Sequence, residues 1–156
     1  GVRFVTIQGY KDTGIYAWDH HWGIFPHLDQ QLPIYDSAYS ALLKDLDDRG
    51  MLETTLVITA GEFGRTPKIN SNKRGPGRDH WAECFSLTLG GGGVQPGRVI
   101  GASDKHGAVP VDRPVSIADF AATVYHALGL DPKAEFVAQG RRMQMLPEGS
   151  VVRELF

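Results

Sequence analysis

The sequence predicts an α/β domain, a mostly parallel sheet flanked by helices, with residues 1–156 as one unit. Leu56-Val57-Ile58-Thr59-Ala60 is a run of high strand propensity that stops on Gly61-Glu62-Phe63-Gly64. A short apolar run bounded by glycine reads as a buried strand. Tyr35, Ala38, Tyr39, Leu42, Leu43 and Leu46 recur at the three- and four-residue spacing of one helix face. Val2 to Ile7 is a second strand-like run ahead of that helix. The resulting β-loop-α-β order requires parallel pairing through a crossover.

Taken in order, Val2 to Ile7 enters directly into a strand, as though continuing a longer chain. A polar loop follows from Gln8 to Gly14, and Ile15-Tyr16-Ala17-Trp18 leads into Asp19-His20-His21-Trp22-Gly23. Pro33 suits the first turn of the predicted helix and Gly50 its end. From Gly64 to Arg78 the chain carries Arg65, Lys68, Lys73, Arg74 and Arg78 with no acidic residue, and its prolines and glycines make it a cationic loop. Such a loop is either solvated and mobile or an anion-facing element. Phe85 to Leu89 is the next predicted strand, with Gly90 to Gly93 as a tight turn. Val99-Ile100 suggests a short strand, and Ser103 to Gly107 a polar turn after it. Ser116-Ile117-Ala118-Asp119 approximates a capping box, opening a helix with Ile117, Phe120, Ala121, Val124 and Leu128 on one face and Gly129 at its end. The tail from Phe136 to Phe156 is expected to pack on the sheet.

The 16 basic and 18 acidic residues give a formal charge of −2, which supplies no electrostatic reason to bind nucleic acid or an anionic membrane. The single cysteine, Cys84, rules out an internal disulfide framework and reads as a small core residue. No apolar run reaches the ~18 residues of a membrane span, and the first residues lack a signal-peptide pattern.

Chemistry concentrates in short polar clusters at strand ends and glycine turns: Asp19-His20-His21, Glu62, Asp79-His80, and Asp104 with His106. In open α/β sheets the C-terminal strand edge is where ligands bind, which puts Glu62 in view, although a solvated turn glutamate reads equally well. Imidazoles with one or two carboxylates form a ligand set for zinc, manganese or iron. No Gly-x-Ser-x-Gly elbow supports a hydrolytic triad.

Trp18-Asp19-His20-His21, Gly61-Glu62-Phe63-Gly64-Arg65-Thr66-Pro67, Gly77-Arg78-Asp79-His80, Gly90 to Gly93, Gly101 to Gly107, Pro114 to Leu130 and the closing Val152-Arg153-Glu154-Leu155-Phe156 together resemble the C-terminal half of the bacterial domain-of-unknown-function family 1501. That family is placed with the alkaline phosphatase and sulfatase superfamily. The resemblance implies an alkaline phosphatase-like, incomplete fold and a metal-binding hydrolase-type domain, acting on phosphate or sulfate esters if completed by an upstream segment. A non-catalytic binding or scaffold module derived from that fold is the alternative. Residue by residue, Asp19 and His21 resemble the superfamily's first ligand pair, His80 its later histidine, and Glu62 stands where the second metal's aspartate is expected. Phe63 occupies the place of that second pair's histidine, and no nucleophile is identifiable in these residues. The metal implied is divalent, zinc or manganese. Arg65 and Arg78 are the candidate oxyanion donors, because a guanidinium presents paired donors to a tetrahedral anion, with a salt bridge from Arg65 to a neighbouring carboxylate as the equal alternative. A small anionic ester is the implied partner, and a periplasmic or cell-envelope address is implied by the resemblance alone.

Overall fold

The computed structural model describes residues 2–7 and 18–156. Among them the elements are α1 (Ile24–Asp48), β1 (Leu56–Thr59), β2 (Gly64–Arg65), β3 (His80–Trp81), β4 (Thr88–Gly91), β5 (Ala102–Ser103), β6 (Pro110–Asp112), α2 (Ile117–Ala127), β7 (Glu135–Ala138) and β8 (Arg141–Gln144), with short 3-10 turns at Leu52–Thr54 and Arg153–Leu155. The strands form four separate two-stranded sheets, β1 with β4, β2 with β3, β5 with β6 and β7 with β8. Every pair is antiparallel.

This overturns the expected parallel α/β sheet flanked by helices. Residues 2–7 form no strand, and Val2, Phe4, Val5 and Ile7 are between 65% and 82% exposed. The predicted loop from Gln8 to Gly14 and the lead-in from Ile15 to Ala17 lie outside the described residues. A parallel sheet is stable only with apolar cover on both faces. Here Leu46, Ala122 and Val152 are the apolar side chains that reach full burial among the described residues. The chain exposes 11513 Å², whereas a compact monomer of its size would expose about 7,800 Å². With so little cover, each strand is satisfied by a single antiparallel neighbour.

The predicted apolar face of α1 is met in part, with Leu46 buried but Ala38 and Leu42 exposed, and its predicted start is displaced. The Tyr35 hydroxyl donates to Thr59 Oγ1 at 3.2 Å, tying that face to β1, and Leu46 is buried. The helix begins at Ile24, so Pro33 lies in its interior, not in its first turn. The earlier start is possible because Gly23 takes a left-handed conformation and the otherwise orphaned Ile24 N–H donates to Pro76 O at 3.0 Å. At the other end Gly50 N–H donates to Asp47 O and Met51 N–H to Leu46 O, both at 2.8 Å, a Schellman closure around a left-handed glycine.

The strand predicted at Phe85 to Leu89 forms three residues later, and it absorbs two of the four glycines. Gly90 lets α1 approach closely: a Cβ there would come 3.3 Å from the Leu43 side chain, a tight contact. The short strand expected at Val99-Ile100 forms instead at Ala102–Ser103, paired with β6. Cys84 is half-buried. No helix among the described residues is long and apolar enough to cross a membrane.

Helix α2 bears out its predicted start. Ser116 accepts from the Asp119 N–H at 3.0 Å, and the Asp119 carboxylate accepts from the Ser116 N–H at 3.0 Å. The tail packs on this helix, not on a sheet: Ser150 N–H donates to Asp119 Oδ1 at 2.7 Å and Val152 N–H to Thr123 Oγ1 at 2.9 Å. Hydrogen bonds from the Ser116 side chain, the Ser150 N–H and the Ser116 N–H hold the Asp119 carboxyl below its ordinary value. A depressed carboxylate contributes stability that is present above the unfolded value, about 3.9 for aspartate, and is lost as pH falls through the lower folded value. The gap in thermal midpoint between the native chain and Asp119→Asn is therefore expected to be widest near neutral pH and to close in strong acid. A gap that is constant from pH 7 to pH 2 in circular-dichroism melts contradicts this assignment.

Candidate metal centre

Two segments distant in sequence build the site. Trp18 adopts φ 83° just before Asp19, a conformation rare for a bulky residue and one that clusters where structure over-determines the chain. It turns Asp19-His20-His21 toward the hairpin of β2 and β3, whose register sets Arg65 opposite His80. The segment 76–78 runs alongside the first: Arg78 N–H donates to His20 O at 3.0 Å. Gly77 lies so close to His21 that a Cβ would come 2.2 Å from the His21 carbonyl carbon and oxygen.

At the junction Asp19 Oδ1 lies 2.8 Å from His80 Nε2 and 3.1 Å from His21 Nε2, and the two Nε2 atoms are 3.2 Å apart. Ligand atoms about 2.0–2.1 Å from a tetrahedral metal are about 3.3 Å from each other. Two sides of the observed triangle lie within about 0.2 Å of that spacing and the third, between Asp19 Oδ1 and His80 Nε2, is about 0.5 Å shorter. Asp19, His21 and His80 are the group among the described residues whose donor atoms converge in this way.

The other nitrogen of His21, Nδ1, is 2.6 Å from Asp79 Oδ1. This places the Nδ1 proton on the carboxylate side and leaves the Nε2 lone pair facing the junction, the arrangement by which an outer carboxylate orients a ligating imidazole. Asn70 Nδ2 in turn donates to Asp79 Oδ2 at 3.3 Å and to His21 O at 3.1 Å. Phe63 packs on His80 with ring centroids 4.3 Å apart and lies under the Arg65 guanidinium.

The carboxylates are tuned toward ionisation. Burial pushes Asp19 up, but hydrogen bonds from His80 and Arg65 and the charge of Arg65 outweigh it and hold Asp19 below its ordinary value. Hydrogen bonds from His21 and Asn70 lower Asp79. His20, 5% exposed, is pushed down by burial and by the neighbouring charge of His27, which favours neutral imidazole.

Of the residues singled out from the sequence, Asp19, His21 and His80 come together. Glu62 stands apart: its carboxylate is 67% exposed and, among the described residues, reaches Arg65 at 4.0 Å. Arg65 donates to Asp19 Oδ1. Arg78 donates from Nε to Thr66 O at 2.6 Å and from Nη2 to Arg65 O at 2.9 Å. Both arginines line a cavity of about 200 Å³ with Trp18, His20, Ile24 and Leu28. The cationic loop is pinned, not free, by Asn70 N–H to Gly77 O at 2.8 Å and Gly77 N–H to Asn70 Oδ1 at 3.0 Å. The outer role of Asp79 was signalled by its place beside His80; Asn70 carried no signal in the sequence.

A family model described as a protein of unknown function, DUF1501, matches residues 1–156. No curated protein and no solved structure matches the chain.

Proposed function

We propose that this chain, which belongs to the DUF1501 family, is a metal-binding hydrolase-type domain that handles phosphate or sulfate esters, related to the phosphatases and sulfatases. The observation that carries the reading is the convergence of Asp19 Oδ1, His21 Nε2 and His80 Nε2. Two imidazoles and one carboxylate suit zinc or manganese. A divalent ion held there supplies Lewis acidity toward an ester oxygen.

The surrounding residues divide the remaining work. Asp79 fixes the His21 tautomer, and Arg65 fixes Asp19. A guanidinium has five N–H donors, so Arg65 and Arg78 retain donors for an anion while bracing the loop. Trp18, Ile24 and Leu28 give the adjoining cavity an apolar wall suited to the organic part of an ester. The second reading, a non-catalytic module that binds such anions, is favoured by one observation. Among the described residues, the side chains that touch the three donors belong to Arg65, Phe63 and Asp79, none of which carries a nucleophilic hydroxyl or thiol.

Calorimetric titration with phosphate and sulfate, at fixed zinc and ionic strength, tests the shared part of both readings. Binding is expected only with metal present, and Arg65→Lys should weaken it by about 10- to 150-fold, the worth of a charge-assisted hydrogen bond of about 1.5–3 kcal/mol. Equal affinity in both proteins, or none in either, overturns the anion role. Zinc-dependent turnover of an aryl phosphate or sulfate then separates enzyme from binding module.

A further inference from the structure

A second group of nitrogen and oxygen donors lies beside the first and is used by none of the chemistry above. His20 Nε2, His27 Nδ1 and Gln31 Oε1 are buried and have no hydrogen-bond partner among the described residues. Buried polar atoms are almost always paired, so three orphans drawn from neighbouring side chains call for a shared partner. His27 and Gln31 are four residues apart on the first turns of α1, hence on one face of the helix. His20 packs against that face, its ring centroid 5.1 Å from that of His27 with the planes tilted by 34°. Gln31 is close enough to His20 to favour its charged form, yet its Oε1 makes no bond of hydrogen-bond geometry.

Two imidazoles bound to one tetrahedral ion through single nitrogens have ring centroids about 5.2 Å apart, given a metal–nitrogen distance of about 2.05 Å. The observed 5.1 Å matches that separation. Gly23 is what permits it, since a Cβ at this left-handed position would come 3.3 Å from His27 Cε1. We propose that His20 Nε2, His27 Nδ1 and Gln31 Oε1 form a second metal site for a borderline-soft divalent ion such as zinc or copper. Imidazole nitrogen suits these ions over magnesium or calcium, and a neutral amide oxygen completes three ligands without adding charge. The site stands on its own donors, separate from Asp19, His21 and His80.

Zinc itself is the probe. After dialysis against Zn²⁺ and removal of excess, elemental analysis of the native protein is expected to show two equivalents. His27→Ala should retain one, and His80→Ala should retain one at the second site, so failure of either site is read separately. A His27→Ala variant that holds as much zinc as the native chain, or a His80→Ala variant that holds none, overturns the proposal. Should His27→Ala fail to fold, long-range nitrogen NMR of the native chain decides: addition of Zn²⁺ is expected to shift His27 Nδ1 and change its ring tautomer pattern. An Nδ1 signal unmoved by Zn²⁺ rejects the metal.

Discussion

A chain carrying both His21→Ala and His80→Ala is expected to lose the metal at the first centre altogether, leaving Asp19 as its only remaining donor. A lone carboxylate is a weak ligand for zinc, and the fit of three donor atoms 2.8–3.2 Å apart is removed at two of its three corners. The loss should exceed the about 10–100-fold that follows when only an outer partner of a ligating histidine is changed. Asp79→Asn supplies that comparison, since it keeps the side chain beside His21 Nδ1 while removing its charge. Both imidazoles are partly exposed, at 31% and 49%, so removing them opens no large cavity and the fold should survive. Competition with a chelating dye reads the affinities directly. If the double variant binds zinc at the first centre as tightly as Asp79→Asn, the metal rests on other atoms and the assignment of His21 and His80 is wrong.

The parts of this molecule that were legible in the sequence are those whose determinants are close together. The capping box of α2 is written in Ser116 and Asp119, three positions apart, and it forms as read. The face of α1 follows from a local spacing, and Tyr35 and Leu46 lie where that spacing places them. The start of α1 was hidden because its first N–H is satisfied by Pro76, more than fifty residues away. The sheet failed for the same reason. A strand's propensity says nothing of its partner, and β1 pairs with a segment that begins at Thr88, not with residues 2–7. The three side chains whose donor atoms converge, Asp19, His21 and His80, could be picked out because two residue types that metals accept recur in adjacent pairs. Glu62 shared that chemistry, but the chain turns it outward after β1, where among the described residues it meets Arg65.

Gly77→Ala should damage both fold and site, although it adds one methyl group and touches no donor. The added carbon would lie 2.2 Å from both the carbon and the oxygen of the His21 carbonyl and 2.5 Å from the Trp22 nitrogen. Those are backbone atoms, which cannot rotate away as a side chain would. Relief requires the two segments to part, and their separation breaks a set of bonds together: Arg78 N–H to His20 O, Asn70 Nδ2 to His21 O, and Ile24 N–H to Pro76 O. The cost is expected at about 3 kcal/mol or more, the upper end for overpacking. Gly50→Ala is the control, since nothing lies within 4 Å of its added carbon, although φ there is 65°. Its cost is confined to left-handed backbone strain of about 1–2 kcal/mol. Because the segment that carries Gly77 also carries Asp79 and His80, displacing it moves two of the groups that face His21. Zinc affinity should therefore fall in Gly77→Ala and stay native in Gly50→Ala, even at temperatures where both remain folded. Parallel denaturant melts and zinc titrations decide the point: native zinc affinity in a folded Gly77→Ala would show that the contact between the two segments does not set the geometry of the centre.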